Sequence, residues 1–131
     1  MIDVVTAVVM RKGKILILRR GEEVSTYKGK WACISGYLEE NERPLERAYK
    51  EMEEEAGLKK DDVKLIKEAK VIEFYDEEER KEWRVHPFLF ETEKEEISID
   101  WEHTEYRWIE PKKIKEYDTV PKLKEVITML F

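Results

Sequence analysis

The stretch between Gly36 and Leu58 constrains this chain more than any other, because it specifies a loop, a helix and a helix stop in one run of residues. Pro44 suits the first turn of a helix, since its ring fixes φ and its missing N–H is not needed there. Gly57 is the residue type that most often ends a helix in the left-handed conformation. The sequence therefore predicts a glycine-opened loop followed by a helix over residues 44–56.

The predicted helix separates its apolar residues from most of its charges when it is projected at about 100° per residue. The apolar set is Leu45, Ala48, Tyr49, Met52 and Ala56, and the charged set is Arg47, Glu51, Glu54 and Glu55. Carboxylates at this spacing repel one another by roughly 0.2–0.5 kcal/mol per pair. Mg²⁺ prefers oxygen ligands and commonly bridges carboxylates to substrate phosphates. We therefore expect the charged set to face solvent or a cation.

The spacing of these residues resembles the signature of the Nudix hydrolases, the MutT-like family. In order, that signature has Gly, five residues, Glu, seven residues, Arg-Glu, an aliphatic residue, any residue, Glu-Glu, any residue, Gly and an aliphatic residue. The chain matches it at Gly36, Glu42, Glu51, Met52, Glu54, Glu55, Gly57 and Leu58, and departs from it at Lys50, where the family has Arg. A solvated, glutamate-rich helix is the plainer interpretation, but it does not account for the spacing of both glycines and four glutamates.

The resemblance implies a fold and a metal site. The fold is a Nudix-type α/β/α sandwich with a central mixed β-sheet, and the sequence predicts one such domain over residues 1–131. Glu51, Glu54 and Glu55 would bind Mg²⁺, with Mn²⁺ as an alternative metal, and the backbone carbonyl of Gly36 would be a further ligand. Glu51 and Glu54 are also candidate catalytic residues, since a metal-bound water must lose a proton during hydrolysis.

Lys50 and Glu102 complete the candidate catalytic set. The family's Arg orients a metal-binding glutamate, and Lys50, paired with Glu42, would keep its charge but lose its planar fork. Glu102 lies six residues before Trp108, where many Nudix enzymes carry a glutamate that binds metal or acts as the base. Glu105 is its competitor, and an ordinary exposed glutamate is an equally good interpretation.

Neither histidine is interpreted as a metal ligand. No spacing of His86 or His103 with Cys33 or with each other indicates a zinc site. We therefore expect both histidines to be surface or structural residues.

Substrate-binding candidates are Lys28, Lys30 and Tyr75. The two lysines could reach a phosphate, although solvated charge is the plainer interpretation. Tyr75 lies seventeen residues after Leu58, where a tyrosine is associated in this family with diadenosine polyphosphate hydrolases, and residues 102–108 also resemble those enzymes. Its ring could stack on a purine or close the core. Diadenosine polyphosphates are thus the best guess, ahead of ADP-ribose and nucleoside or deoxynucleoside triphosphates.

Composition bounds the partners and the compartment. The formal charge of −6 argues against nucleic acid as a partner and leaves a small nucleotide as the expected ligand. The single Cys33 excludes an internal disulfide, and no signal peptide or membrane span is visible, so the sequence predicts a cytoplasmic protein. Charged residues make up 43% of the chain and Asn41 is its only amide side chain, a composition typical of thermophiles. A homodimer is left open.

Periodicity predicts the remaining elements. They are strands over residues 2–10, 14–20 and 31–35, one long strand over 63–75, its partner over 82–92 with Pro87 at an edge or bulge, a short strand over 105–109, a helical turn at Pro111 and a terminal helix opened by Pro121.

Three function classes remain at this point. The first is a Mg²⁺-dependent hydrolase that cleaves the phosphoanhydride of a nucleoside diphosphate linked to another moiety. The second is a non-catalytic Nudix-fold module that binds nucleotides as a sensor, and the intact glutamates disfavour it. The third, an isopentenyl diphosphate isomerase, is disfavoured because the chain is short and Cys33 lies in an apolar run.

Overall fold

Eight strands form one mixed sheet in the computed structural model of the chain, which describes residues 1–131. The strands are β1 Ile2–Arg11, β2 Lys14–Arg20, β3 Trp31–Ala32, β4 Ile34–Tyr37, β5 Val63–Glu68, β6 Ile72–Asp76, β7 Lys81–Thr92 and β8 His103–Ile109. The α-helices are α1 Pro44–Ala56 and α2 Leu123–Leu130, and two 3₁₀ helices span Lys60–Asp62 and Pro111–Glu116. Neither α-helix is long and apolar enough to cross a membrane.

The sheet is built around the parallel pair of β1 and β7. Its path runs β3-β2-β1-β7-β5, while β4 also pairs with β1, β6 with β7 and β8 with β2. All these other pairs are antiparallel. The predicted mixed sheet is therefore confirmed.

Alternation along the strands assigns their side chains to two cores, one on each face of the sheet. In β1, Val5, Ala7 and Val9 pack in the core that contains Met52 of α1. The next-door Val8 packs in the core that contains the apolar residues of α2. The two helices thus cover opposite faces, which confirms the predicted α/β/α sandwich.

The prediction of one long strand over residues 63–75 is wrong. The chain breaks between β5 and β6, and both strands pair with β7. Pro87 is accordingly not at an edge, because β7 has β1 on one side and β5 and β6 on the other. The carbonyl of Pro87 accepts the N–H of Ala69 at 3.1 Å. The N and C=O groups of one strand residue point to the same side of the strand. The nitrogen of Pro87, which carries no hydrogen, therefore faces the break between β5 and β6, where no ladder hydrogen bond is lost.

Helix α1 has the predicted bounds, residues 44–56. Gly57 has φ of 68°, and its N–H bonds to the carbonyl of Glu53 at 3.0 Å. The N–H of Leu58 bonds to the carbonyl of Met52 at 3.1 Å. These two hydrogen bonds end α1, with Gly57 in the left-handed conformation. The local signals in the sequence were therefore sufficient for this element.

Candidate active site

Gly36 brings β4 into direct contact with the first carboxylate of α1. It lies opposite Val5 of β1, and a Cβ atom at this position would lie 2.6 Å from Oε1 of Glu51. No side chain fits at that distance, so only glycine lets the helix carboxylate lie against the strand. The signature glycine thus has a steric reason in this structure.

The charged set of α1 does not face solvent as a whole, so of the two predicted surroundings, solvent or a cation, solvent applies to Glu54 alone. Arg47, Glu51 and Glu55 are buried, with Glu55 only 2% exposed, whereas Glu54 is exposed. The projection of the helix at about 100° per residue correctly predicts which residues share a side. That side, however, packs against β4 and the start of β8. Two of the three glutamates predicted to bind metal therefore lie in a region of low dielectric.

Glu55 is held in a chain of acidic and imidazole groups. Its Oε1 lies 3.7 Å from Nε2 of His103, and Nδ1 of that ring lies 2.8 Å from Asp100. Burial raises the pKa of Glu55 well above its usual range, and Glu51 raises it further. Burial also lowers the pKa of His103, although Asp100 opposes this. His103 is thus a buried structural residue, one of the two roles expected for it.

Arg47 is the main partner of Glu42. Its Nε and Nη2 donate to the two oxygens of Glu42 at 2.7 and 2.8 Å, and its Nη1 donates to Oε2 of Glu51 at 3.0 Å. Lys50 also reaches Glu42, at 3.2 Å, as the supporting pair predicts. The hydrogen bond from Arg47 is the first cause that lowers the pKa of Glu42 to about 2.

Of the two candidate glutamates near β8, Glu102 lies at the site and Glu105 does not. Glu102 lines the same cavity as Glu51 and Glu54. Burial raises the pKa of Glu102, and Asp100 raises it further. Glu105 instead lies on the solvent side of β8, 3.6 Å from Arg19.

The cavity that joins these groups has a volume of about 360 Å³ and a second, aromatic end. Tyr37 and Trp83 stack there with ring centroids 6.0 Å apart and planes at 14°, and Tyr27 and Phe74 complete the lining. The buried indole N–H of Trp83 approaches the Tyr27 oxygen but makes no hydrogen bond. The aromatic side chains at this part of the cavity suit a flat ring.

The donor set fits a hard divalent cation. No group of three or more His, Cys, Asp or Glu side chains converges into a complete ligand cluster. Mg²⁺ does not require one, because it binds through one or two carboxylates and fills its other positions with waters and phosphates. The raised pKa values of Glu55 and Glu102 arise from burial and neighbouring carboxylates, and a cation among them would offset both causes.

The predicted substrate-binding residues lie outside the cavity lining. Lys28 is exposed, and Lys30 lies 3.8 Å from Asp118. Tyr75 is 55% exposed, because alternation along β6 turns Phe74 into the cavity and its neighbour away from it.

Sequence reasoning missed several cavity residues. They are Arg20, Tyr27, Tyr37, Arg47, Phe74, Trp83 and Lys122. Arg47 carries a signal that could have been used, since it lies four residues before Glu51 on the same side of the helix. The aromatic residues have none, because they come from four separate segments that only the sheet brings together.

Comparison with known proteins identifies the family. The NUDIX domain profile matches residues 1–130. The structure superposes on an Ap4A hydrolase from C. elegans with a TM-score of 0.83 at 16% identity, covering 99% of this chain and 95% of that one. It also resembles a MutT protein from Methanosarcina mazei Go1, with a TM-score of 0.77 at 26% identity, covering 97% and 90%.

A curated relative matches over a shorter stretch. An RNA pyrophosphohydrolase from Bartonella tribocorum is 45% identical over 47 residues, which is 36% of this chain. The match spans about a quarter of the length of that relative, 26%. The whole-length profile match decides the assignment: the chain belongs to the Nudix hydrolase family, as the signature from Gly36 to Leu58 predicts.

Proposed function

We propose that the chain is a Mg²⁺-dependent pyrophosphohydrolase that cleaves the phosphoanhydride of a nucleoside diphosphate linked to another moiety. One observation carries this proposal: a single cavity is lined both by Glu51, Glu54 and Glu102 and by stacked aromatic rings. A substrate with a charged diphosphate next to a flat base matches that division. Mn²⁺ is an alternative metal.

The signature glutamates form the metal end of the proposed site. Glu51 and Glu54, which line the cavity, would hold the ion with the carbonyl of Gly36, and Glu55, buried beside Glu51 and outside the cavity lining, is the third signature carboxylate. When bound, the ion polarises phosphate oxygens and lowers the pKa of a coordinated water. Burial raises the pKa of Glu102, which makes it a stronger base than an ordinary glutamate and suits it to take a proton from water, and Glu54 is the alternative base.

Arg20 is the proposed contact for the substrate phosphates. It lines the cavity, and its Nε is held by the carbonyl of Thr26 at 3.0 Å. Lys28 and Lys30, which the sequence suggests for this role, do not line the cavity. A guanidinium also binds phosphate oxygens through two parallel hydrogen bonds, which an ammonium group cannot do.

Diadenosine polyphosphates are the preferred substrate class. The cavity can hold one nucleoside, so the second adenosine would lie at its mouth. Trp101 is 67% exposed and adjoins Glu102, and its ring could stack on that second base. Tyr75, also exposed, is the other candidate. RNA is less favoured because the net charge is −6.

The test is a comparison of kcat/KM for diadenosine tetraphosphate, ADP-ribose, an oxidised deoxynucleoside triphosphate and a triphosphorylated RNA oligonucleotide. We expect turnover that requires Mg²⁺ or Mn²⁺, is abolished by EDTA, and is fastest with diadenosine tetraphosphate. A preference for another substrate would refute the substrate assignment alone. If the protein bound nucleotides but hydrolysed none of them, the hydrolase proposal would be refuted and the non-catalytic sensor module supported.

The matched variants Trp101→Ala and Tyr75→Ala refine this experiment. Loss of the ring that stacks on the second base should raise KM for diadenosine tetraphosphate about tenfold, since such stacking is worth about 1–3 kcal/mol. KM for ADP-ribose should change much less in the same variant. An unchanged KM for diadenosine tetraphosphate in both variants would refute the proposal that an aromatic ring at the mouth of the cavity stacks on the second base.

A further inference from the structure

Arg47 and Lys50 divide a role that the family signature gives to one arginine. The signature arginine corresponds to Lys50, which is a lysine here, while a buried arginine lies one turn earlier at position 47. We propose that Arg47 is the residue that positions Glu51 for the metal, and that Lys50 is a minor contributor. This inference rests on the proposed metal site, but it can be tested without hydrolysis.

The guanidinium of Arg47 links Glu42 to Glu51 through three short hydrogen bonds. Two parallel bonds, at 2.7 and 2.8 Å, lock it to Glu42, and the third, at 3.0 Å, fixes Oε2 of Glu51. Arg47 is only 8% exposed, so these charges interact with little screening by water. A lysine could not replace it, because one ammonium group cannot present this planar fork.

Lys50 lacks the geometry for the same role. Its side chain is 59% exposed, and its single contact is with Glu42 at 3.2 Å. It makes no ion pair or hydrogen bond with Glu51, its neighbour in the sequence, since successive helix residues point about 100° apart. Arg47, four residues before Glu51, lies on the same side of the helix.

The contacts also select which oxygen of Glu51 remains free for a ligand. Arg47 binds Oε2, whereas Oε1 is the oxygen that faces Gly36. Glu42 in turn accepts the N–H of Glu39 at 3.0 Å, which ties the loop between β4 and α1 to the same guanidinium. Arg47 therefore holds one carboxylate oxygen back and leaves the other beside the strand.

Mn²⁺ binding to the full chain, followed by electron paramagnetic resonance without nucleotide, tests this assignment. Arg47→Lys keeps the charge but removes the fork, and we expect the Kd for Mn²⁺ to rise about 10- to 100-fold, as for other residues that orient metal ligands. Arg43→Lys is the matched control, because Arg43 is an exposed arginine at the start of the same helix. It should change the Kd less than about twofold.

A relocated guanidinium tests the position. Arg47→Ala should bind Mn²⁺ more weakly than Arg47→Lys, and adding Lys50→Arg to it should recover less than about twofold of the lost affinity, because residue 50 does not lie on the same side of the helix as Glu51. Circular dichroism at the assay temperature selects conditions under which every variant is folded. A purely structural arginine would alter the melting temperature and leave the Kd of the folded protein unchanged.

Two results would overturn the proposal. One is an Arg47→Lys protein that binds Mn²⁺ as tightly as the unaltered chain. The other is a Lys50→Ala protein that loses more affinity than Arg47→Lys. A chain that binds Mn²⁺ with the expected ranking but hydrolyses no nucleotide would refute the proposed hydrolase and support the role of Arg47.

Discussion

Two segments of this molecule are rich in glutamate but differ in burial and in the partners of their carboxylates. In α1, Glu51 and Glu55 are buried against β4 and β8 and contact an arginine and a histidine. In the loop that follows β7, each glutamate between residues 93 and 96 is exposed, and Glu95 lies 3.7 Å from Arg11. Acidity therefore does not mark the site. Burial of like charges does, because burial costs stability unless a partner compensates it.

The largest expected effect is on the hydrolysis rate, which a substitution in α1 should lower and a substitution in the loop after β7 should not. Glu54→Gln keeps the shape of the side chain but removes ligand charge, so the hydrolysis rate at saturating Mg²⁺ should fall by about 10²- to 10⁴-fold. Glu95→Gln removes one charge from an exposed pair and should leave the rate within about twofold. Initial rates with the best substrate decide the matter. A loss below tenfold in Glu54→Gln, or equal losses in both proteins, would erase the distinction.

A smaller effect is expected on stability, through Glu42. Its pKa is about 2 in the folded chain, against about 4.3 when unfolded, so the folded state favours the carboxylate. This contribution is present above about pH 4.3 and is lost as the pH falls towards 2. Glu42→Gln should therefore lower the free energy of unfolding by on the order of 2 kcal/mol at neutral pH.

Urea unfolding over a range of pH provides the measurement for Glu42. The difference between the two proteins should shrink as the solution is acidified below about pH 4.3. A difference that does not change with pH would mean that packing, and not the ion pair with Arg47, accounts for it.

The smallest expected effect is a gain in stability, whereas the substitution of Glu42 should cause a loss. Burial raises the pKa of Glu55, so the metal-free folded state loses stability as the pH rises above the ordinary pKa of a glutamate. Glu55→Gln should then raise the melting temperature of the EDTA-treated protein, by about 4 °C for each kcal/mol relieved. Glu95→Gln should leave it unchanged. Equal melting temperatures for Glu55→Gln and the unaltered chain would show that the buried carboxylate is compensated without a metal.

The sequence predicts best where a single residue type has few alternatives. Pro44 and Gly57 bound α1 correctly because each has a narrow conformational role that no distant contact overrides. Pro87 left two alternatives, an edge or a bulge, and the structure rejects only the edge: the proline lies in a central strand beside the break between β5 and β6, where the pairing of β5 with β7 shifts register. The interruption between β5 and β6 had no comparable local signal.

Of the cavity residues, the sequence predicted those of the signature and, beyond it, Glu102. Spacing along one helix identified Glu51, Glu54 and Glu55, but it could not show that β4 and β8 would cover two of them. Arg47 lies at a position that the signature leaves free, and its role depends on the fold of the loop that presents Glu42. Long-range strand pairing also brings Trp83 to the cavity, which no local pattern reports.

The contact between Gly36 and Glu51 would link the affinity of the proposed metal site to the register of β4 on β1. Gly36 lies opposite Val5, and a slip of one residue between β4 and β1 would bring Ser35 or Tyr37 to that place. Either side chain would displace the carboxylate, since even a Cβ atom would lie 2.6 Å from its Oε1. A misregistered sheet would thus lose Glu51 as a ligand of the proposed metal site. A bound ion would therefore selectively stabilise molecules in which β4 and β1 have paired in the correct register.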